Sequence, residues 1–170
     1  MKRTSQQGCT DISDYYISES EIEAVVQGFE SCTTGKGAFT HQSHLTVAVW
    51  YLQNSTEEQA IEKMRAGLHR FLDHLGVGQE KYHETLTVFW IKTVRDCLER
   101  LDQGFTLLEL TNAVVDRLGN SRLVSEHYTG ELLRSDIAKN GWVEPDLKGI
   151  AKGNRLARSS GVDSDLLLSS

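Results

Sequence analysis

Three histidines stand where a helical bundle ordinarily carries leucine: His41 and His44 in the stretch FTHQSHL (39–45), and His83 in KYHET (81–85). Imidazole changes charge nearest neutrality and is the side chain that zinc, iron and copper most often accept as a ligand. His41 lies four residues before Leu45 and His44 four before Ala48, so helical spacing puts both on or beside the stripe that faces a core. His83, three before Leu86 and seven before Trp90, falls on a comparable stripe of another helix. If the two helices pack first turn to first turn, the three imidazoles converge as a ligand set for a divalent transition metal, zinc or iron. The partial positive charge of a helix N-terminus favours the neutral imidazole that a metal requires.

Two neighbours could supply further chemistry. Glu84 follows His83 and projects about 100° away around a helix, where it could complete the ligand set, orient a ligand or act as a general base. Tyr82 offers a phenol at the same end, and the free amides of the first turns suit an anionic substrate group.

H-x-x-H by itself is a weak signal, and no H-E-x-x-H signature accompanies it. First-turn histidines also satisfy unpaired backbone groups or cap a neighbouring helix, which gives these three a purely structural reading. His69 and His74 lie off the nearest apolar stripe and read as surface or edge residues, whereas His127 sits in a segment that could fold over the bundle end and add a ligand. Arg65 and Arg95 read as solvated helix charges that could alternatively hold a carboxylate. Trp50, Trp90 and Trp142 read as core anchors.

The elements that must position these residues are helical throughout, because hydrophobic period is near 3.6 and no stretch sustains strand alternation. A Ser18-x-x-Glu21 box opens a helix with Ile22, Val25, Val26 and Phe29 on one face. Thr40 caps a second, which closes at Gln53-Asn54. A Ser55-x-x-Glu58 box opens a third, carrying Ile61, Met64, Leu68, Phe71 and Leu75 and ending at Gly76. A fourth spans about 80–102, with Leu86, Trp90, Val94, Cys97 and Leu101 in register. A Thr106-x-x-Glu109 box opens a fifth that stops at Gly119, and two short helical pieces follow before WVEPD (142–146). The spacing therefore predicts an all-α fold, a single bundle of about five main helices with short C-terminal helical pieces. The helical domain is expected over 18–150, between disordered tails at 1–17 and 151–170.

Composition narrows the function classes. A chain of 170 residues with 25% charged residues and a net charge of −6 is an ordinary globular domain whose charge disfavours nucleic acid. Only Lys148 to Arg158 is locally basic. The longest apolar run, Leu86 to Ile91 with Thr87 inside it, is far short of the roughly 20 residues that span a bilayer. Cys9, Cys32 and Cys97 form no C-x-x-C pair and read as reduced thiols, Cys97 within the core. With no secretory signal at the N-terminus, a cytoplasmic protein is expected.

The blocks F-T-H-x-x-H-L (39–45), K-Y-H-E-T (81–85) and V-E-P-D (143–146) resemble a family of small, mainly bacterial helical proteins with no established activity. The resemblance spans about 39–147 and groups His41, His44, His83 and Glu84, drawing in Tyr128, Glu144 and Asp146. Those last two carboxylates could serve a site, or Pro145 could simply fix an extended stretch that closes the domain. The leading expectation is a small metal-dependent enzyme acting on a small molecule, with His41, His44 and His83 as ligands and Glu84 and Tyr82 as catalytic groups. The alternative is a metal-free binding or interaction module whose histidines are structural or hydrogen-bond a ligand.

Overall fold

The computed structural model describes residues 15–150, so both expected tails, with Cys9 and most of the basic stretch, lie largely outside the described residues. The described chain is all-α and contains no strand. Five helices build the body: α1 (Glu19–Glu30), α2 (His41–Asn54), α3 (Glu57–Leu75), α4 (Glu84–Glu99) and α5 (Leu107–Leu118). Three short ones follow, α6 (Val124–His127), α7 (Gly130–Arg134) and α8 (Asp136–Asn140).

The centre of the bundle is α2, which packs against α1, α3, α4 and α5. Its sequence explains the position. From Leu45 to Leu52 every residue except Trp50 is buried, so this helix has no solvent face to separate from a core face. Thr46, the polar member of that run, accepts burial because its hydroxyl donates to the Gln42 carbonyl one turn back (2.9 Å) and meets the Tyr16 hydroxyl (2.8 Å). The N-terminal segment is held with it. Asn112 accepts from the Tyr16 amide (3.0 Å) and donates to the Tyr16 carbonyl (2.9 Å), so Tyr16 belongs to the core and the folded part begins before residue 18.

Helix boundaries depart from the sequence reading in three places. Ser18 is the N-cap of α1 without a side-chain bond, and Glu21 reaches the Ile17 amide instead (2.7 Å). The third helix uses the box one residue later, Thr56 with Gln59, while Ser55 donates to the Tyr51 carbonyl at the end of α2 (2.6 Å). The fourth begins at Glu84 rather than near 80. Beyond Gly76, left-handed at φ 64°, the chain makes only a 3-10 turn (Gln79–Lys81) before His83 caps α4 from an extended conformation.

The expected stripe of this region is core at Val94, Cys97 and Leu101 but not at Leu86 and Trp90. The buried positions are Glu84, Thr85, Val88, Phe89, Ile91, Val94, Cys97 and Leu98, while Leu86 and Trp90 are only half-buried. Phe89 packs with Trp90, His127 and Tyr128, under the C-terminal segment. On the other side of the bundle, Phe29 stacks on Phe39 (ring centroids 4.7 Å) and tilts against Phe71 (5.8 Å). Gly67 lets α3 approach this cluster, since a Cβ there would stand 2.6 Å from the Phe29 ring.

Candidate functional site

The first turn of α2, the second half of α3 and the start of α4 enclose a cavity of about 440 Å³. Helix α2 contributes His41, His44 and Ala48, and α3 contributes Met64, Leu68, Phe71, Leu72 and Leu75. Across from them stand His83, Leu86, Thr87, Trp90 and Ile91, with Phe39 and Tyr82 from the connecting segments and the exposed Lys81. The two helix starts do meet, and all three histidines of the sequence analysis border one space. Its volume lies within the range of small-molecule sites, and its lining is mainly apolar and aromatic, as such sites are.

The three imidazoles are not equivalent. His41 Nε2 lies 2.9 Å from the carbonyl of Leu118, the last residue of α5. A carbonyl can only accept, so Nε2 carries the proton, and His41 closes the C-terminal end of α5. His83 is engaged at both nitrogens: Nε2–H donates to the Leu133 carbonyl in α7 (2.8 Å), and Nδ1 accepts from the Leu86 amide as the cap of α4 (3.3 Å). This fixes His83 as the neutral Nε2–H tautomer.

His44 is different. Among the described residues every fully buried side-chain nitrogen or oxygen has a partner. The His44 ring makes no hydrogen bond to the described protein, so its nitrogens are ones that reach the open space of the cavity. The ring is deeply enclosed yet keeps some accessible surface, because one side opens on that space. Burial, reinforced by the nearby His41, pushes its pKa down to about 4, which leaves it neutral at pH 7. Phe39 leans against it at a centroid distance of 4.4 Å.

Glu84 and Tyr82 form a separate unit. Glu84 accepts from Arg65 Nε (3.0 Å) and Nη2 and from the Tyr82 hydroxyl. The Arg65 guanidinium, then the Tyr82 bond, hold the Glu84 carboxyl below its usual range, against the opposing effect of burial. Burial, with the Glu84 bond, raises the Tyr82 phenol well above its ordinary value. A carboxylate so paired is a poor base, and a phenol so raised a poor acid. Arg65 pairs with Glu84, and Arg95 pairs with Glu99 (2.8 Å) on the exposed face of its own helix, so both guanidiniums already have a carboxylate.

The remaining candidates hold the chain together. His127 donates from Nδ1 to the Lys148 carbonyl (2.6 Å), and the buried Tyr128 donates to the Val143 carbonyl (2.8 Å). Asp146 accepts from the Thr129 amide (2.8 Å) and hydroxyl (2.6 Å) at the start of α7, and Glu144 accepts from Trp142 (3.2 Å). His69 pairs with Gln79 and lies on the Tyr82 ring, whereas His74 is exposed.

Among the described residues no three His, Cys, Asp or Glu side chains converge closely enough to hold one ion. For His83 to ligate, it would have to give up the Leu133 or the Leu86 bond. Sequence reasoning found the imidazoles but missed the wall opposite them. Leu68, Leu72 and Leu75 on α3, with Leu86 and Trp90 on α4, were signalled only by apolar faces wider than a core stripe needs.

No family model matches the chain, and no curated protein or solved structure matches it either. Among the described residues no helix is long and apolar enough to cross a membrane.

Proposed function

We propose that the chain is a small-molecule binding module, acting in the cytoplasm, whose ligand occupies the cavity between α2, α3 and α4. One observation carries this reading: an apolar cavity of ligand size is lined by an imidazole, His44, whose ring makes no hydrogen bond among the described residues. The His44 nitrogens open on the cavity, so a molecule that displaces solvent there must hydrogen-bond the imidazole or leave it unpaired at a cost of about 1–3 kcal/mol. The apolar walls supply affinity and the imidazole supplies orientation.

The test is a titration of the protein with naphthalene, followed by ligand fluorescence and thermal denaturation, beside Leu68→Trp, which places an indole in the cavity. Saturable binding by the wild type and its loss in the variant are expected. No saturable response by the wild type would defeat the reading.

The rival is the metal-dependent enzyme, with zinc or iron held by His41, His44 and His83. His44 has both nitrogens available and His41 keeps Nδ1, but His83 has neither. Elemental analysis of untagged protein decides between the two: about one equivalent of metal, lost on His44→Ala, would favour the enzyme.

A further inference from the structure

Most polar groups that line the cavity are answered within the chain. The Thr40 hydroxyl accepts from the Ser43 amide and the Thr87 hydroxyl donates to the His83 carbonyl. The Tyr82 hydroxyl is held by Glu84, and His83 is engaged at both nitrogens. What remains is the whole His44 imidazole, Nδ1 of His41, and the Lys81 ammonium, which is exposed and in no ion pair among the described residues.

Resting on the binding reading above, we infer that the ligand is an uncharged organic molecule with an apolar, ring-sized body and one hydroxyl group, which meets His44. A neutral imidazole presents one donor and one acceptor, and a hydroxyl group answers either. The apolar body faces Leu68, Leu72, Leu86 and Trp90. A carboxylate is disfavoured at this depth. Lys81, the one Lys or Arg among the lining residues, is exposed to solvent, and an ionised group buried beside His44 without a partner is far more costly than a neutral one. A ring is favoured over an aliphatic chain because Phe39, Phe71 and Trp90 are among the lining side chains and aromatic pairs add to area burial.

Three probes of one skeleton separate the possibilities: naphthalene, 2-naphthol and 2-naphthoate, each titrated at pH 7 into the wild type, His44→Phe and His44→Leu. Two variants are used so that a failure of one to fold leaves the other. The wild type is expected to bind 2-naphthol about fivefold more tightly than naphthalene, the value of one hydrogen bond, and 2-naphthoate more weakly than 2-naphthol. In either His44 variant the naphthol preference over naphthalene disappears while naphthalene still binds.

Equal binding of naphthol and naphthalene by the wild type, or a preference that survives loss of the imidazole, overturns the inference and leaves the binding reading intact. So does tightest binding of 2-naphthoate, which would assign the cavity an anionic ligand headed by Lys81. No binding of any probe, to any of the proteins, overturns the binding reading and this inference with it.

Discussion

The two sides of α4 are closed in different ways. On one side Thr85 and Phe89, both fully buried, lie beneath the C-terminal segment. The Thr85 hydroxyl donates to the Gly141 carbonyl (2.7 Å) and accepts from the Val143 amide (3.2 Å), and Tyr128, His127 and Asp146 fasten the same stretch at three further points. On the other side Leu86 and Trp90 look onto open space, and the ring of the polar group across from them, His44, makes no hydrogen bond among the described residues. A surface on which each polar group is answered within the chain is a structural closure. The unanswered imidazole on the other side is what gives that side a functional reading.

The contrast can be broken at Phe89. Its replacement by Ala removes the ring that joins α4 to His127 and Tyr128 and should cost about 3–5 kcal/mol in urea denaturation. Thr85→Val keeps the shape but leaves the Gly141 carbonyl and Val143 amide without their partner, an expected loss of about 1–3 kcal/mol. Its distinguishing sign is faster hydrogen exchange over 141–148, with α2 and α3 unaffected. Gly67→Ala should cost about 1–3 kcal/mol through its clash with Phe29, and reduce naphthalene binding by disturbing Phe39 and Phe71 behind the cavity.

The histidines sharpen the contrast with smaller effects. His83→Leu removes both the bond to Leu133 and the cap of α4 and should cost about 2 kcal/mol, and His41→Leu, which loses only the bond to Leu118 at the end of α5, about 1 kcal/mol. His44→Leu should change stability at pH 7 by under about 0.5 kcal/mol, because an apolar group of similar size replaces one that has no bond to lose. Acid reverses the order. The folded-state pKa of His44 is about 4 against 6.5 when exposed, so the unfolded chain takes up the proton first as pH falls. Its contribution to stability is complete above 6.5, declines as pH falls towards 4 and is level below that. His44→Leu should therefore be more stable than the wild type at pH 4.5, a difference that urea midpoints at the two pH values would reveal.

Much of the fold could be read from the sequence where a local rule is enough. The Thr106-x-x-Glu109 box forms in full, with Thr106 capping the Glu109 amide (3.3 Å) and Glu109 returning to the Thr106 amide (2.8 Å). At the third helix two hydroxyls compete, Ser55 and Thr56, each with a partner three residues on, and the decision rests on the tertiary bond from Ser55 to Tyr51. The fourth helix was misplaced because histidine is an unusual cap, so KYHET reads as the first turn rather than its boundary. Burial of α2 on all sides left no polar face, and a single stripe was all that periodicity could offer there.

For the site, spacing was sufficient to group His41, His44 and His83 at one end. It could not say which of them remain free, because the partners that engage two of them are backbone carbonyls 77 and 50 residues away along the chain. A carbonyl has no sequence signature. The division between structural and available histidines is therefore a property of the packed chain.

The most direct measurement is a nitrogen-15 NMR titration of the histidine side chains, from pH 8 to pH 3.5 and then at pH 7 with 2-naphthol. His41 and His83 should both show the Nε2–H tautomer. His44 should stay neutral until about pH 4 and alone shift strongly when the naphthol is added. A His44 that titrates near 6.5 and ignores 2-naphthol would contradict the account, since the imidazole would then be neither enclosed nor available to a ligand.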